Sequence, residues 1–231
     1  HKTQYRHGFT LVELSIVLVI IGLIIAGITA GQNLVKSAKL QNVIKEINEY
    51  DIVIKGFKDK FRYYPGDMPN ASGYWSGAAN GNGNWKVETG EDLQSWLHLS
   101  LAKLISGNYS GTGSAHIIGT NAPTSVIKSG GYQVLYTASS YYATTGNMLM
   151  LGSINGNSTG NIDGSILNSP DSRLIDSKID DGIAATGNLY TARGNNSSTC
   201  VSAAYSEQTA TYNLSDTTTS CRILWWLNKN K

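Results

Sequence analysis

Charge imbalance, abundant cysteine and the common catalytic signatures are what this chain lacks. Its 231 residues carry 18 Lys and Arg against 16 Asp and Glu, a formal net charge of +2. That composition encodes no strongly basic surface, so nucleic acid is not expected as a partner. The cysteines are two, Cys200 and Cys221, and past residue 31 the histidines are only His98 and His116. A zinc site on the cysteine pair would need two further ligands. The sequence holds no Walker-type loop, no six-residue Gly fingerprint and no His-Glu-x-x-His helix. Gly81-Asn-Gly-Asn-Trp-Lys is a lone pair of glycines without the third and reads as a loop. His98 lies beside Leu97 and Leu99 with no nucleophile or acid placed near it by the sequence, and His116 has no stronger case. Both read as packed or surface histidines, and the chain is not expected to be an enzyme. It shows no convincing internal repeat.

What the chain has instead is one long apolar run. From Phe9 to Gly31 it contains a single charge, Glu13, after a short leader bearing Lys2 and Arg6. Leu14 to Gly31 makes about 27 Å of helix, enough to span hydrocarbon. An ionised side chain in such a segment costs on the order of 2.5–3.5 kcal/mol on insertion scales, so a tolerated one marks a functional site. A secretory signal peptide would be cut beyond the apolar core at a small-x-small site. Its best candidate, after Ala30, has Ile28 at the minus-three position. A plain signal anchor fits the length, yet neither reading needs Glu13.

The basic leader, the Gly8-Phe9 junction, a Glu four residues on and the uninterrupted run together resemble the N-terminus of the type IV pilin family, including the pseudopilins of type II secretion. The resemblance implies that a prepilin peptidase cuts after Gly8 and methylates the new amino group of Phe9. It implies that Glu13 is the assembly glutamate, paired with the α-amino group of Phe9 on an adjacent subunit or, one turn away, with its own. The implied partners are the peptidase, other copies or related pilin subunits in a filament, an inner-membrane assembly platform with its ATPase, and membrane lipid before assembly. Without the leader, 16 basic and 16 acidic side chains remain, a formal charge of zero.

Past Gly31 the pattern turns amphipathic. Leu40, Val43, Ile47, Tyr50, Ile54, Phe57 and Phe61 recur at steps of three and four, with charged residues on other faces. One helix is expected from Phe9 to about Phe61; two helices broken near Gly27 to Gln32 are the alternative. Gly27-Ile-Thr-Ala-Gly31 is a small-xxx-small face that could pack another helix closely. Tyr63-Tyr-Pro-Gly-Asp-Met-Pro69 ends the helix, because Pro65 disfavours helical geometry at Tyr64 and removes a donor. That phrase is similar to the post-helix segment of a subset of prepilin-type proteins. Gly81-Asn-Gly-Asn reads as a flexible loop. A second helix is expected from an N-cap at Thr89, with Asp92 three residues on, through Leu93, Trp96, Leu97, Leu101, Leu104 and Ile105 to a stop at Gly107. Ser169-Pro170-Asp171 opens a short helix holding Leu174, Ile175 and Ile179 that ends before Gly182. Strands are expected near Tyr132 to Ala138, Asn147 to Ile154, Leu189 to Ala192 and Cys221 to Leu227.

The fold class expected is α+β: a pilin-like roll in which a long N-terminal α-helix, its hydrophobic half transmembrane, packs on an antiparallel β-sheet. The segments are 1–8 leader, 9–31 transmembrane and filament-core helix, 32–62 amphipathic half of the same helix, and 63–231 periplasmic globular domain. Cys200 and Cys221 lie beyond the span and are expected to pair, contributing roughly 3 kcal/mol. A disulfide places the domain in an oxidising space such as the periplasm. Lys2 on one side of the span and Lys36 and Lys39 on the other leave charge bias indecisive, so the cysteine pair sets the N-terminus inside. The expected location is the cytoplasmic membrane, single-pass, and then a cell-surface or periplasmic filament.

Some pseudopilins bind calcium in their C-terminal region, and by that resemblance Asp176, Asp180 and Asp181 are the metal candidates. Their spacing fails the EF-hand loop, and a turn capped by Asp181-Gly182 is the alternative; no other cofactor is expected. Trp75, Trp85, Trp225 and Trp226 read as core or subunit contacts. The function expected is a structural subunit, pilin or pseudopilin, of minor or specialised kind, since the length left after the leader is long for many major subunits. A DNA-uptake pseudopilin and a membrane-anchored periplasmic binding protein are the alternatives.

Overall fold

The computed structural model describes residues 8–138, 144–155, 160–195, 197–202 and 209–228. Residues 1–7 of the expected leader, with Lys2 and Arg6, lie outside the described residues. The chain divides into two compact units, 1–39 and 40–231.

Helix α1, Leu11–Phe61, is a single unbroken helix; Gly22, Gly27 and Gly31 do not interrupt it. From Leu14 to Gly31 it is uncharged and predominantly apolar on every face, and every described side chain of the first unit is exposed. Within the second unit the stripe read from the sequence is the buried one: Leu40, Val43, Ile47, Ile54 and Phe57 enter the core. The helix stops at Arg62, which takes a left-handed backbone (φ 69) ahead of Pro65. A four-residue turn of helix, α2 (Ala71–Tyr74), follows.

Helix α3 is Glu91–Leu101, shorter at both ends than the periodicity suggests. Its N-cap is Gly90, at φ 94, rather than Thr89. The two acids of its first turn reach back to the loop instead: Glu91 accepts from the Glu88 N–H at 3.0 Å and Asp92 from the Gly90 N–H at 2.8 Å. At the far end Lys103 takes the left-handed conformation (φ 61). Leu104 N–H then donates to Leu99 O, and Lys103 N–H to Ser100 O, both at 3.0 Å, the paired bonds of a Schellman stop. Leu104 and Ile105 therefore leave the helix before Gly107 and pack partly buried against the core.

The sheet has four antiparallel strands in the order β1-β2-β4-β3. They are β1 (Gly130–Thr137), β2 (Gly146–Ser153), β3 (Leu189–Arg193) and β4 (Cys221–Trp226), each within two residues of its expected position. β1 and β2 pair with Tyr132 opposite Leu151. β4 lies between β2 and β3, with Trp225 opposite both Leu149 and Leu189, and is buried along its whole length. Helix α4 (Ser169–Ile179) connects β2 to β3. Its N-cap is Asn168, one residue before the expected Ser169: the Asn168 side chain accepts the Asp171 N–H at 2.8 Å, and Pro170 sits in the first turn.

Two carboxylates of α1 dock it on the sheet. Glu46 accepts from the Tyr132 hydroxyl (2.8 Å), the Ser125 hydroxyl (2.9 Å) and the Val126 N–H (3.0 Å). Asp51 accepts the indole N–H of Trp225 at 2.9 Å. Between them Tyr50 meets the rings of Tyr132 and Trp96 edge-on at 4.8 and 5.2 Å. The architecture is α+β and pilin-like: a long N-terminal helix and a four-stranded antiparallel sheet sharing one core.

Candidate functional site

The residues expected to direct processing and assembly sit where coil becomes helix. Gly8, Phe9 and Thr10 precede α1, so the helix opens two residues after Phe9. Thr10 is its N-cap by hydrogen bonding, and Glu13 is the third helical residue. The Thr10 N–H and hydroxyl both donate to Glu13 Oε2 at 2.8 Å, and the Glu13 N–H donates back to Thr10 Oγ1 at 3.2 Å. This reciprocal pair is a capping box. It occupies the carboxylate that the internal Phe9 pairing would have used, and in the uncut chain the Phe9 nitrogen is an amide, not a cation. Thr10-Leu-Val-Glu13 carries the Thr-x-x-Glu signature of such a box in the sequence itself. Around it the surface is hydrocarbon: Phe9 and Leu11 are 83% and 84% exposed. α1 is long and apolar enough to cross a membrane.

The chain carries a prokaryotic N-terminal methylation motif. The match covers residues 3–29 and is the type IV pilin and pseudopilin signature. The family marked by this motif is structural rather than enzymatic, and the motif implies processing by prepilin peptidase and assembly with other pilin subunits. Together with the long apolar helix it fits an inner-membrane-anchored pilin. No curated protein and no solved structure matches the chain.

In the globular unit, Cys200 and Cys221 are joined, with an S–S distance of 2.00 Å. The bond ties the first residue of β4 to the segment 197–202, and both cysteines are fully buried. Asp176, Asp180 and Asp181 do come together, each offering an oxygen within 4.8 Å of the others. All three carboxylates also act as acceptors that shape the turn after α4. Asp176 accepts from Gly182 N–H and the Tyr212 hydroxyl. Asp180 accepts from the N–H groups of Asn188 and Leu189, and Asp181 from Ile183 N–H and the Thr186 hydroxyl. Burial pushes Asp176 up to about 6 against the pull of the Tyr212 and Gly182 hydrogen bonds.

Both histidines are buried. His98 accepts the Gly66 N–H on Nδ1 at 3.0 Å, so its Nε2–H donates to Ala79 O at 3.1 Å. Burial lowers its pKa to about 4, and the neutral ring holds the turn after α1 against α3. His116 Nδ1 lies 3.2 Å from Gly160 O and its Nε2 3.3 Å from Asp92 Oδ2. Asp92 also accepts from the Gln133 amide at 3.0 Å. The acid partner that sequence reasoning did not place for His116 is thus 24 residues away on α3. Trp225 and Trp226 belong to the core, Trp75 is half-buried against Phe57 and Phe61, and Trp85 is half-exposed beside Tyr63.

The Gly81-Asn-Gly-Asn segment is pinned rather than loose. Gly81 N–H donates to Met68 O at 2.9 Å and Gly83 N–H to Asp67 O at 3.0 Å. The approach is so close that a Cβ at Gly81 would stand 2.4 Å from Asp67 Cα. The fully buried carboxylate of Asp67 accepts from Asn84 and Trp85 N–H at 3.0 and 2.8 Å. Burial, with the nearby charge of Glu91, raises it to about 6 while those bonds oppose the rise. No local sequence signal marks Asp67 as the organiser of a loop more than a dozen residues away.

Proposed function

We propose that this chain is a structural subunit, a pilin or pseudopilin of minor or specialised kind, cut between Gly8 and Phe9, N-methylated at Phe9, held in the cytoplasmic membrane and then drawn into a filament. One observation carries the reading. The methylation motif at residues 3–29 coincides with a helical segment whose apolar side chains are exposed on every face. Such a surface is stable only against lipid or against other apolar helices. A lipid-facing helix of this kind can exchange one apolar environment for the other without exposing hydrocarbon to water.

Glu13 supplies the specificity. In a single chain its carboxylate is satisfied by Thr10. After cleavage the Phe9 amine becomes a cation near neutral pH, since such amines titrate around 7.7–8.0. Pairing that amine with Glu13 of a neighbour offsets two charges in an apolar surround and fixes the axial register of the incoming subunit. The globular unit, closed by its disulfide, belongs in the periplasm on this reading.

Intact mass of membrane-extracted protein tests the processing: a chain beginning at Phe9 with one added methyl is expected, and a mature start at Gly31 would overturn it. Glu13→Ala tests the assembly. The variant should insert, be cut after Gly8 and accumulate in the membrane, yet not enter filaments when it is the sole subunit. Filaments of normal abundance built from the variant would instead favour an anchored periplasmic protein that does not use Glu13.

A further inference from the structure

Between α3 and β1 the chain makes a loop that has no part in the functional reading above. Its ends meet where the Ser110 N–H donates to Thr120 O at 3.0 Å. Asn121 binds it from within: the side-chain oxygen accepts the Ile117 N–H at 2.6 Å, and the amide donates to Ala115 O at 2.9 Å. Such a compact excursion, held by its own bonds, is an Ω-loop. It is tied down at either end, where Gly111 O accepts the Gln94 amide at 2.7 Å and Pro123 O the Tyr132 N–H at 3.2 Å. Between Thr112 and Thr120 only one side chain is buried, that of His116. The body of the loop is therefore fastened through an imidazole.

That ring is caught between two acceptors. Gly160 O, which already accepts the His116 N–H at 3.0 Å, lies 3.2 Å from Nδ1, and a carbonyl cannot donate. Asp92 Oδ2 lies 3.3 Å from Nε2, and no donor among the described residues reaches Nε2. A neutral imidazole has one N–H and one bare lone pair, whereas the imidazolium has two N–H groups. With its single proton on Nδ1, a neutral ring would set a buried lone pair against a buried carboxylate oxygen. Asp92 is built to stay an acceptor. Its Oδ1 accepts from the N–H groups of Gly90 and Leu93 at 2.8 and 2.9 Å, and its Oδ2 from the Gln133 amide at 3.0 Å. It also stands in the first turn of α3, where the helix dipole favours negative charge. The two side chains are only 3% and 4% exposed, so without a cationic partner Asp92 is a buried charge left uncompensated. The other titratable groups on the surrounding elements face elsewhere: Glu91 holds the N–H groups of Asn82 and Glu88, His98 those of the turn after α1, Tyr132 is bonded to Glu46, and Asp163 meets Asn195 and Arg222.

We propose that the loop 110–121 is a proton-operated latch: the imidazolium of His116 clamps it to Gly160 and Asp92, and loss of one proton releases it. The proton that leaves is the one on Nε2, because Nδ1–H keeps its carbonyl. Two acceptors then face each other, and outward movement of the loop relieves them by letting water from the adjoining hollow, about 180 Å³ and lined by Thr89, Ser114 and Asn161, donate to both. Imidazole is the side chain whose charge changes between about pH 5 and pH 8. The closed loop holds one proton more than the open one, so raising the pH favours opening, by at most about tenfold in the closed-to-open ratio per pH unit. Release also lifts the backbone off α3 at Gly111, which sits so close that a Cβ there would stand 2.6 Å from Leu97 Cδ2. The periplasmic placement proposed above would expose the latch to the pH of the surroundings, while its operation depends on the loop alone.

Amide hydrogen exchange on the detergent-solubilised full-length protein, read by mass spectrometry from about pH 5 to about pH 8, tests the latch. The amides of β4 serve as the internal reference, because the intrinsic effect of pH on exchange is common to both. Protection of residues 110–121 relative to β4 should fall as the pH rises. His116→Gln, whose amide donates without titrating, should flatten that profile, and Asp92→Asn, whose side-chain N–H can face the bare Nε2, should keep the loop closed at the alkaline end. Long-range proton–nitrogen spectra of the imidazole rings read the switch directly, the His116 signals being those missing from His116→Gln. Two N–H groups are expected on the ring while the loop is protected, and the Nδ1–H tautomer once it opens. Unchanged loop protection across the range overturns the proposal. So does a fall that persists undiminished in both variants, or a ring with a single proton in a loop that is still protected. Should either variant fail to fold by circular dichroism, the exchange profile and ring spectra of the unaltered protein decide.

Discussion

Replacing Cys200 and Cys221 together by Ser should weaken the globular unit by a defined amount without changing its fold. The bond closes a loop with a sequence separation of 21 residues. In the chain-entropy account that restriction of the unfolded state is worth about 3 kcal/mol. The native geometry around the bond is otherwise secured. The Cys221 N–H donates to Leu167 O at 2.8 Å, and Cys221 O accepts from the N–H groups of Ile166 and Leu167. On the other side the Asn213 N–H donates to Cys200 O at 3.2 Å, and Val201 bridges to Tyr212. β4 therefore keeps its register when the sulfurs are gone, and the loss falls on the unfolded state. For a unit of this size, 3 kcal/mol corresponds to a fall in melting temperature of roughly 6–12 °C. The assay is urea unfolding followed by tryptophan fluorescence on the full chain in detergent, comparing the oxidised protein, the reduced protein and the double variant. The latter two should coincide at a lower midpoint with a cooperative transition. An unchanged midpoint would refute the entropic reasoning, and loss of the cooperative transition would refute the claim that β4 is held independently of the bond.

Glu46→Ala should cost about 2–4 kcal/mol by thermal denaturation, since it strands the buried Tyr132 hydroxyl and removes two further bonds between α1 and the segment before β1. Lys103→Gly should stabilise by about 1 kcal/mol, because the left-handed residue at the end of α3 is then free of the side-chain penalty; a destabilised variant would show that Lys103 contributes something besides its backbone. Melting temperature measured against pH with a calcium chelator present should rise as pH falls from 7 towards 5. Asp67 and Asp176, raised to about 6, bind protons more tightly folded than unfolded, so their contribution is complete below their usual value of 3.8 and is lost as pH rises through 6. His98, lowered to about 4, contributes fully above 6.5 and loses that contribution as pH falls through 4. Two carboxylates outweigh one imidazole between 4 and 6, and Asp67→Asn with Asp176→Asn should reverse the slope.

The elements that were legible in the sequence are those whose signal is periodic or set off by loops. The stripe from Leu40 to Phe57 predicted both the second half of α1 and its buried face, and short segments set off by Gly/Asn/Ser/Thr-rich loops located all four strands without any alternation, β4 being buried throughout. What periodicity could not show was where each helix stops. α3 ends on Lys103, a residue with no intrinsic preference for the left-handed turn that Gly107 would have accepted. Capping was visible in principle at Thr10 and Asn168, but adjacent residues, Phe9 and Ser169, offered equally good starts by pattern alone. The candidate site divides in the same way. The motif residues Gly8, Phe9 and Glu13 lie within six positions of one another, so a local pattern suffices to pick them out. The groups that converge from a distance, Asp67 on the loop at 84–85 and Asp92 on His116, leave no local trace because their partners are chosen by the packing of α3 against its surroundings.

The strand order sets a timetable for making the molecule. β4 is made after β3, yet it lies between β3 and β2. A chain emerging from its N-terminus therefore presents β2 with one edge unpaired while α4, β3 and the first cysteine's segment are still arriving. β3 has no partner strand at all until β4 appears. An unpaired edge invites pairing with another chain, and non-local contacts of this kind close slowly. The exposed interval ends only when Cys221 and the five residues after it slot into place, the same event that brings the second sulfur to the first. Docking of β4 and the approach of the two sulfurs are thus one and the same structural event.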